Sequence, residues 1–329
     1  MASLSGLVVG ALLGVVLHRG DFCMHSAFRE VLARRPGLSI RAWLVALGLQ
    51  VAVVNGLAGM GWLVVFRPAV EIWAALIGGF VFGVGMVMGK GRATSIWSRV
   101  GTGNLGATVT TVGFAMGGVM AERGVLAPLR MSIEARGVSS PLATAIPSVT
   151  GVAPGMVAVL ALTLLGLALW LLRGSAPQGG LWSWRLTGAA LGTVGVLAWV
   201  TGAHAGWQWG LSATGPSRSL IDILLLGGTS VPPWGTLMIA GVPLGSWFSA
   251  RIAGPVAWRA PAAVELPRRL SGGLLMGAGG TLAGGCNIGH ALTGLSIFAV
   301  QSVLATAAMG AGAWCAIRLA QAWPRSSRE

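Results

Sequence analysis

Long apolar runs alternate along the chain with short polar breaks. Runs that reach or approach the roughly 20 residues needed to cross a bilayer lie at 4–18, 43–66, 70–89, 104–121, 149–172, 186–202, 233–250, 271–286 and 294–317. About nine transmembrane helices are expected. The first and eighth runs are short, and each passes into a glycine-rich polar stretch, His18 to Phe28 and Gly284 to Gly294. Backbone that leaves the helix at membrane depth is tolerated only where protein or a water-filled path surrounds it. Both ends therefore read as broken or re-entrant helices. A weaker apolar stretch, 219–228, carries Asp222 and reads as a re-entrant or interfacial piece.

The pattern also repeats. A shift of 194 residues lays Gly78-Gly79-x-x-x-Gly83-x-Gly85 on Gly272-Gly273-x-x-x-Gly277-x-Gly279 and pairs Gly91 with Gly285, hence Arg92 with Cys286. A fainter match at 182 places Gly6-x-x-x-Gly10 on Gly188-x-x-x-Gly192. With nine spans the third and eighth run in opposite directions, so the repeat is inverted. The expected organisation is one transmembrane transport domain over 1–329, with a first half at 1–148, a linking helix and loop at 149–185 and a second half at 186–329. Inverted repeats place a substrate site near the midplane, where broken helices of the two halves meet.

Composition supports a membrane chain and excludes a soluble one. Charged residues are 9% of 329 and hydrophobic ones 54%, against a charged share of about a quarter in soluble domains. Mean hydropathy is +0.78. The 53 glycines suit close helix contact and the 15 tryptophans suit membrane interfaces. The net charge of +14 reads as basic cytoplasmic loops; no basic face or nucleic-acid motif accompanies it, so no nucleic-acid partner is expected. With the N-terminus periplasmic and the C-terminus cytoplasmic, only Arg67, Arg123, Arg130, Arg136 and Arg218 of the 22 basic residues lie outside, which the positive-inside rule favours. The first residues lack the pattern of a cleaved secretory signal and read as the first span.

Chemistry concentrates at the breaks. His18-Arg19-Gly20-Asp21-Phe22-Cys23-Met24-His25 packs a thiol, a carboxylate, a cation and two imidazoles after the first run; Arg19, Asp21 and His25 also fit a plain interfacial loop. Gly284-Gly285-Cys286-Asn287-Ile288-Gly289-His290 frames a thiol with glycines that let backbone N–H groups approach an anion. A thiol donates a weak S–H bond that suits a soft sulphur atom. The middle segment, Gly89-Lys90-Gly91-Arg92-Ala93-Thr94-Ser95, has the same frame but sets a guanidinium where its partner has a thiol. Candidate path residues are therefore Cys23, Cys286, Arg92, Asp21, Thr94, Ser95, Gly285, Asn287 and His290. Cys286 and His290 fall short of the three or four ligands of a zinc site, so neither a metal nor a cofactor is expected. Cys315, in an apolar helix without a glycine frame, reads as packing. Asn55, Glu71, Asn104, His204, Gln208, Asp222 and Gln301 are polar insertions that fit either a path or hydrogen bonds between helices.

Arg19-Gly20-Asp21-Phe22-Cys23, Gly272-Gly273-Leu274-Leu275-Met276-Gly277, the Cys286 motif and Arg99-Val100-Gly101-x-Gly103-Asn104 resemble the YeeE/YedE sulphur-transport family, and the resemblance spans nearly the whole chain. It implies an all-α polytopic membrane protein of hourglass-like shape that imports thiosulphate or a related sulphur anion across the bacterial inner membrane. By that likeness Cys23 and Cys286 are relay thiols, passing the anion through S–H hydrogen bonds. The family's middle motif usually holds a third cysteine, and here Arg92 stands in its place. Other sulphur species, such as sulphite, stay open as substrates, and a membrane thiol-redox or sulphur-transferring enzyme is the alternative class. Expected partners are the small anion and membrane lipid, with a cytosolic sulphur-accepting protein as a candidate.

Overall fold

The computed structural model describes residues 2–22, 30, 37–91, 93–136, 145–147, 151, 153–171, 181–227 and 232–322. Among them the chain is all-helical, without a strand. In order the α-helices are α1 (Leu4–Arg19), α2 (Leu38–Gly59), α3 (Ile72–Met88), α4 (Ala93–Gly101), α5 (Leu105–Glu122), α6 (Ala127–Glu134), α7 (Pro154–Leu171), α8 (Trp184–His204), α9 (Thr214–Leu226), α10 (Trp234–Ala253), α11 (Leu266–Leu282) and α12 (Val300–Ala322). Four stretches, 38–59, 72–101, 184–204 and 300–322, are long and apolar enough to cross a membrane; Leu4–Arg19 and Gly155–Trp170 are shorter apolar helices.

Helix boundaries depart from the apolar runs where turn chemistry overrides hydropathy. The run at 43–66 continues past the helix end at Gly59, because the chain turns at Met60 and at Gly61, in the left-handed region at φ 75. The run beginning at 294 is interrupted at 297–299, where the chain turns with Phe298 at φ 59, and its long helix starts at Val300. Residues 219–226 lie on α9, a helix that starts earlier, at Thr214, and packs on α5 and α10.

Backbones touch at glycines, which is why the glycine-rich runs form this bundle. Gly6, Gly10 and Gly14 of α1 lie on the carbonyls of Trp234, Met238 and Val242 of α10, and Gly241 and Gly245 answer against Leu7 and Ala11. A Cβ at any of these five would collide with backbone. Without a hydrophobic drive between helices in lipid, this close approach supplies the packing energy.

The two glycine sets paired by the 194-residue shift meet each other. Gly78 faces Gly279 and Ala283, whereas Gly85 faces Gly272 and Met276, so α3 and α11 pack antiparallel. Their ends match as well. Gly89 N–H donates to the Gly85 carbonyl and Ala283 N–H to that of Gly279; Gly91 donates to Met86 and Gly285 to Gly280. Lys90 and Gly284 both occupy the left-handed region, at φ 49 and 82. Further on, Gly79 and Gly83 lie against Ala305 and Met309 of α12, as Gly273 and Gly277 lie against Thr110 and Phe114 of α5.

Candidate functional site

The thiol-bearing break begins where α11 stops. Gly284 turns the chain at φ 82, a conformation that costs an ordinary L-residue about 1–2 kcal/mol, and helix resumes at Asn287. His290 N–H donates to the Cys286 carbonyl at 2.9 Å, and residues Gly289–Gly294 wind as a π-helix, a wider turn that recurs at functional sites. Cys286 is therefore the residue from which the new helix hangs.

Each group of the motif has a distinct surrounding. Cys286 is fully buried, and its Sγ accepts the Ala213 N–H at 3.3 Å. His290 is buried with Nδ1 3.0 Å from Ser302 Oγ, and its Nε2 has no hydrogen-bond partner among the described residues. A Cβ on Gly285 would come within 3.0 Å of that Nε2, so the imidazole needs the bare backbone there. Asn287 is buried and its Oδ1 has no partner among the described residues. Among the described residues no hydrogen bond joins His290 to the thiol; its Nδ1 is engaged with Ser302.

A cavity of about 530 Å³ opens above the break, walled by Gly284 and His290, by Ser212, Thr214 and Arg218 at the start of α9, and by Trp207 and Trp209. Glu71, Gln208 and Gln301 line it too, with the pairs Arg130–Glu134 and Arg218–Glu122 at 2.7 and 3.0 Å. Cys286 does not line the chamber. Ala213, whose N–H it holds, sits between two residues that do, so the sulfur lies directly behind the floor.

The start of α9 touches both breaks. Ala213 reaches Cys286, and one turn later Ser217 Oγ accepts from Trp97 Nε1 of α4 at 2.8 Å. Thr94 and Ser95 are buried in the first turn of α4, and Ser98 Oγ accepts from Ser246 at 2.8 Å.

Of the candidate path residues, Gly285, Cys286, Asn287 and His290 are brought together, and Thr94 and Ser95 lie on the second break. Asp21 is exposed at φ 43 just beyond α1 and does not line the chamber; its neighbours His18 and Arg19 both hold Ser249 Oγ, at 3.0 and 3.1 Å. Cys23 and Arg92 lie outside the described residues. Among the polar insertions, Glu71, Gln208 and Gln301 line the cavity. The rest serve the helices: Asn55 donates to Val51 and Ser296 carbonyls, Asn104 caps α5, His204 bonds Val200, and Asp222 pairs with Arg123 at 2.9 Å. Sequence reasoning passed over Ser212, Thr214 and the two tryptophans; the Trp207-Gln208-Trp209 interruption between apolar runs was their signal.

A family model described as sulphur transport matches residues 19–315. The chain is 28% identical over 345 residues to the thiosulfate transporter TsuA of Escherichia coli (strain K12), covering 98% of this chain and 96% of that one. It is 32% identical over 324 residues to the thiosulfate transporter TsuA of Spirochaeta thermophila, covering 94% and 96%.

Proposed function

Since the chain belongs to the sulphur-transport family, we propose that it imports thiosulphate or a closely related sulphur anion across the bacterial inner membrane, acting by transport rather than catalysis. Both relatives carry the name of thiosulfate transporters along almost their full length. The observation that carries the reading is the polar chamber floored by the Gly284–His290 break, with the Cys286 sulfur behind it.

In this reading nine helices span the bilayer as an inverted repeat, 1–148 and 186–329 joined by 149–185, and narrow toward the middle like an hourglass. The antiparallel α3–α11 contact and the matched turns at Lys90 and Gly284 support it. The N-terminus lies outside and the C-terminus inside. The anion enters the chamber, meets the backbone N–H groups and hydroxyls of its floor, and reaches Cys286 when the Ala213 bond to sulfur is exchanged for an S–H bond to the anion. Cys23 supplies the second thiol and Arg92 a fixed positive site in place of a third, while Thr94 and Ser95 carry the anion onward. Asp21 serves near the inner end of the path. A guanidinium at that position favours a divalent anion over a neutral sulphur species.

The test is uptake of labelled thiosulphate into liposomes containing the purified chain, with unlabelled thiosulphate, sulphate and sulphite as competitors and buffer as the control. Saturable uptake competed by thiosulphate and not by sulphate is expected. Equal competition by sulphate would remove the selectivity for a soft atom.

A further inference from the structure

The chamber's charges do not balance. Arg130 is engaged by Glu134 and Arg218 by Glu122, while the carboxylate of Glu71, on the same wall, forms no ion pair or side-chain hydrogen bond among the described residues. Only its backbone is held, its N–H donating to Gln301 Oε1 at 2.9 Å. A surplus carboxylate is an odd lining for a site that receives anions, since like charges sharing a small, partly desolvated space repel strongly.

The repeat supplies an internal control. Shifted by 194 residues, Glu71 falls on Glu265, and each residue immediately precedes its helix, α3 or α11. Glu265 is held by Lys90 at 2.7 Å and Arg269 at 2.9 Å. At the Glu71 end the equivalents of those cations are Gly284 and Ala75, so the same helix start carries a neutralised carboxylate in one half and a bare one in the other. The bare one faces the cavity. Other buried polar atoms there await a partner as well, among them Thr214 Oγ1, in a residue only 4% exposed.

Resting on the transport reading above, we propose that Glu71 is a proton-binding site of the chamber, taking up one proton as an anion enters and so coupling anion uptake to proton uptake. Protonation removes the repulsion, and the anion in turn favours the protonated acid, since the two couplings are the same free energy. The bond that forms is carboxyl O–H, with the proton drawn from outside water; no electrons move. The charged groups around Glu71 are Arg130 and Glu134 of α6, Glu122 at the end of α5, Arg218 of α9 and the buried His290.

The experiment is calorimetric titration of thiosulphate into the purified full chain in two buffers of different ionisation heat, beside infrared titration of carboxyl protonation without anion. About one proton bound per anion is expected in the parent, near zero in Glu71→Gln, and restored uptake in Glu71→Asp. Glu265→Gln is expected to keep proton uptake. One coupled proton makes apparent affinity rise up to about tenfold per pH unit of acidification. Anion binding without proton uptake in the parent, or equal uptake in Glu71→Gln, overturns the proposal while leaving transport standing. Absence of thiosulphate binding overturns the transport reading instead, and the infrared titration then decides the proton site: a protonated-carboxyl band above about pH 4.3 that vanishes in Glu71→Gln supports it, and its absence overturns it.

Discussion

Cys286 is where residue chemistry and backbone geometry meet. Its sulfur has one described polar neighbour, the Ala213 N–H, so replacing the thiol removes a weak donor and a polarisable atom together. Cys286→Ala is expected to lower thiosulphate uptake by about 5- to 30-fold, the equivalent of one or two kcal/mol, and Cys286→Ser to lose less, because it keeps a donor. Uptake assays on both variants check this; undiminished uptake in Cys286→Ala takes this thiol out of the path. Gly284 has a different job. With φ at 82, Gly284→Ala should cost about 1–2 kcal/mol of stability, read as a lower melting midpoint in detergent. The thiol and its glycine frame were legible in sequence, since such a motif is contiguous. Glu71 was visible only as one polar insertion among seven, because its lack of an ion pair among the described residues depends on α6, where Arg130 is held by Glu134, and on α9, where Arg218 is held by Glu122 of α5.

At the scale of elements, helix contacts rest on rows of glycine that let carbonyls lie against the facing backbone. A Cβ at Gly83 would meet the Met309 carbonyl, and one at Gly277 the Phe114 carbonyl. Gly83→Val and Gly277→Val are therefore expected to destabilise by similar amounts, about 1–3 kcal/mol each. Gly56, with open space around it, should accept Ala with a gain of up to about 1 kcal/mol from helix propensity. Thermal melts of the three variants side by side make the comparison; equal melting for Gly56→Ala and Gly277→Val contradicts it. The glycine sets were readable as a repeat. That they would pack against each other was not, since a one-dimensional match is silent about which face of α3 meets which helix.

For the whole molecule, Glu71 and Glu265, 194 residues apart, differ in ion pairing, and pH should reveal it. Hydrogen bonds from Lys90, then Arg269, hold Glu265 below its ordinary range. A carboxylate with a depressed folded value stabilises fully above its unfolded pKa, and that contribution fades as pH falls through the folded value. Stability measured from neutral toward pH 3 should therefore decline in part through Glu265, and Glu265→Gln should flatten that part; an unchanged acid profile removes the cluster from the account. Reporter fusions placing the C-terminus outside would overturn the orientation. The sequence by itself determined a helical membrane chain, a glycine pattern that recurs at a shift of 194 residues and the thiol in a glycine-rich break, because hydropathy, spacing and contiguous motifs are properties of a line. Only the tertiary structure decided that Ser212, Thr214, Glu71 and Gln301 share one chamber, that sulfur sits behind its floor, and that Glu71 faces the cavity without an ion pair among the described residues while Glu265 is held by Lys90 and Arg269. Those facts depend on which distant segments pack together, and a linear pattern of apolar and polar residues leaves that choice open.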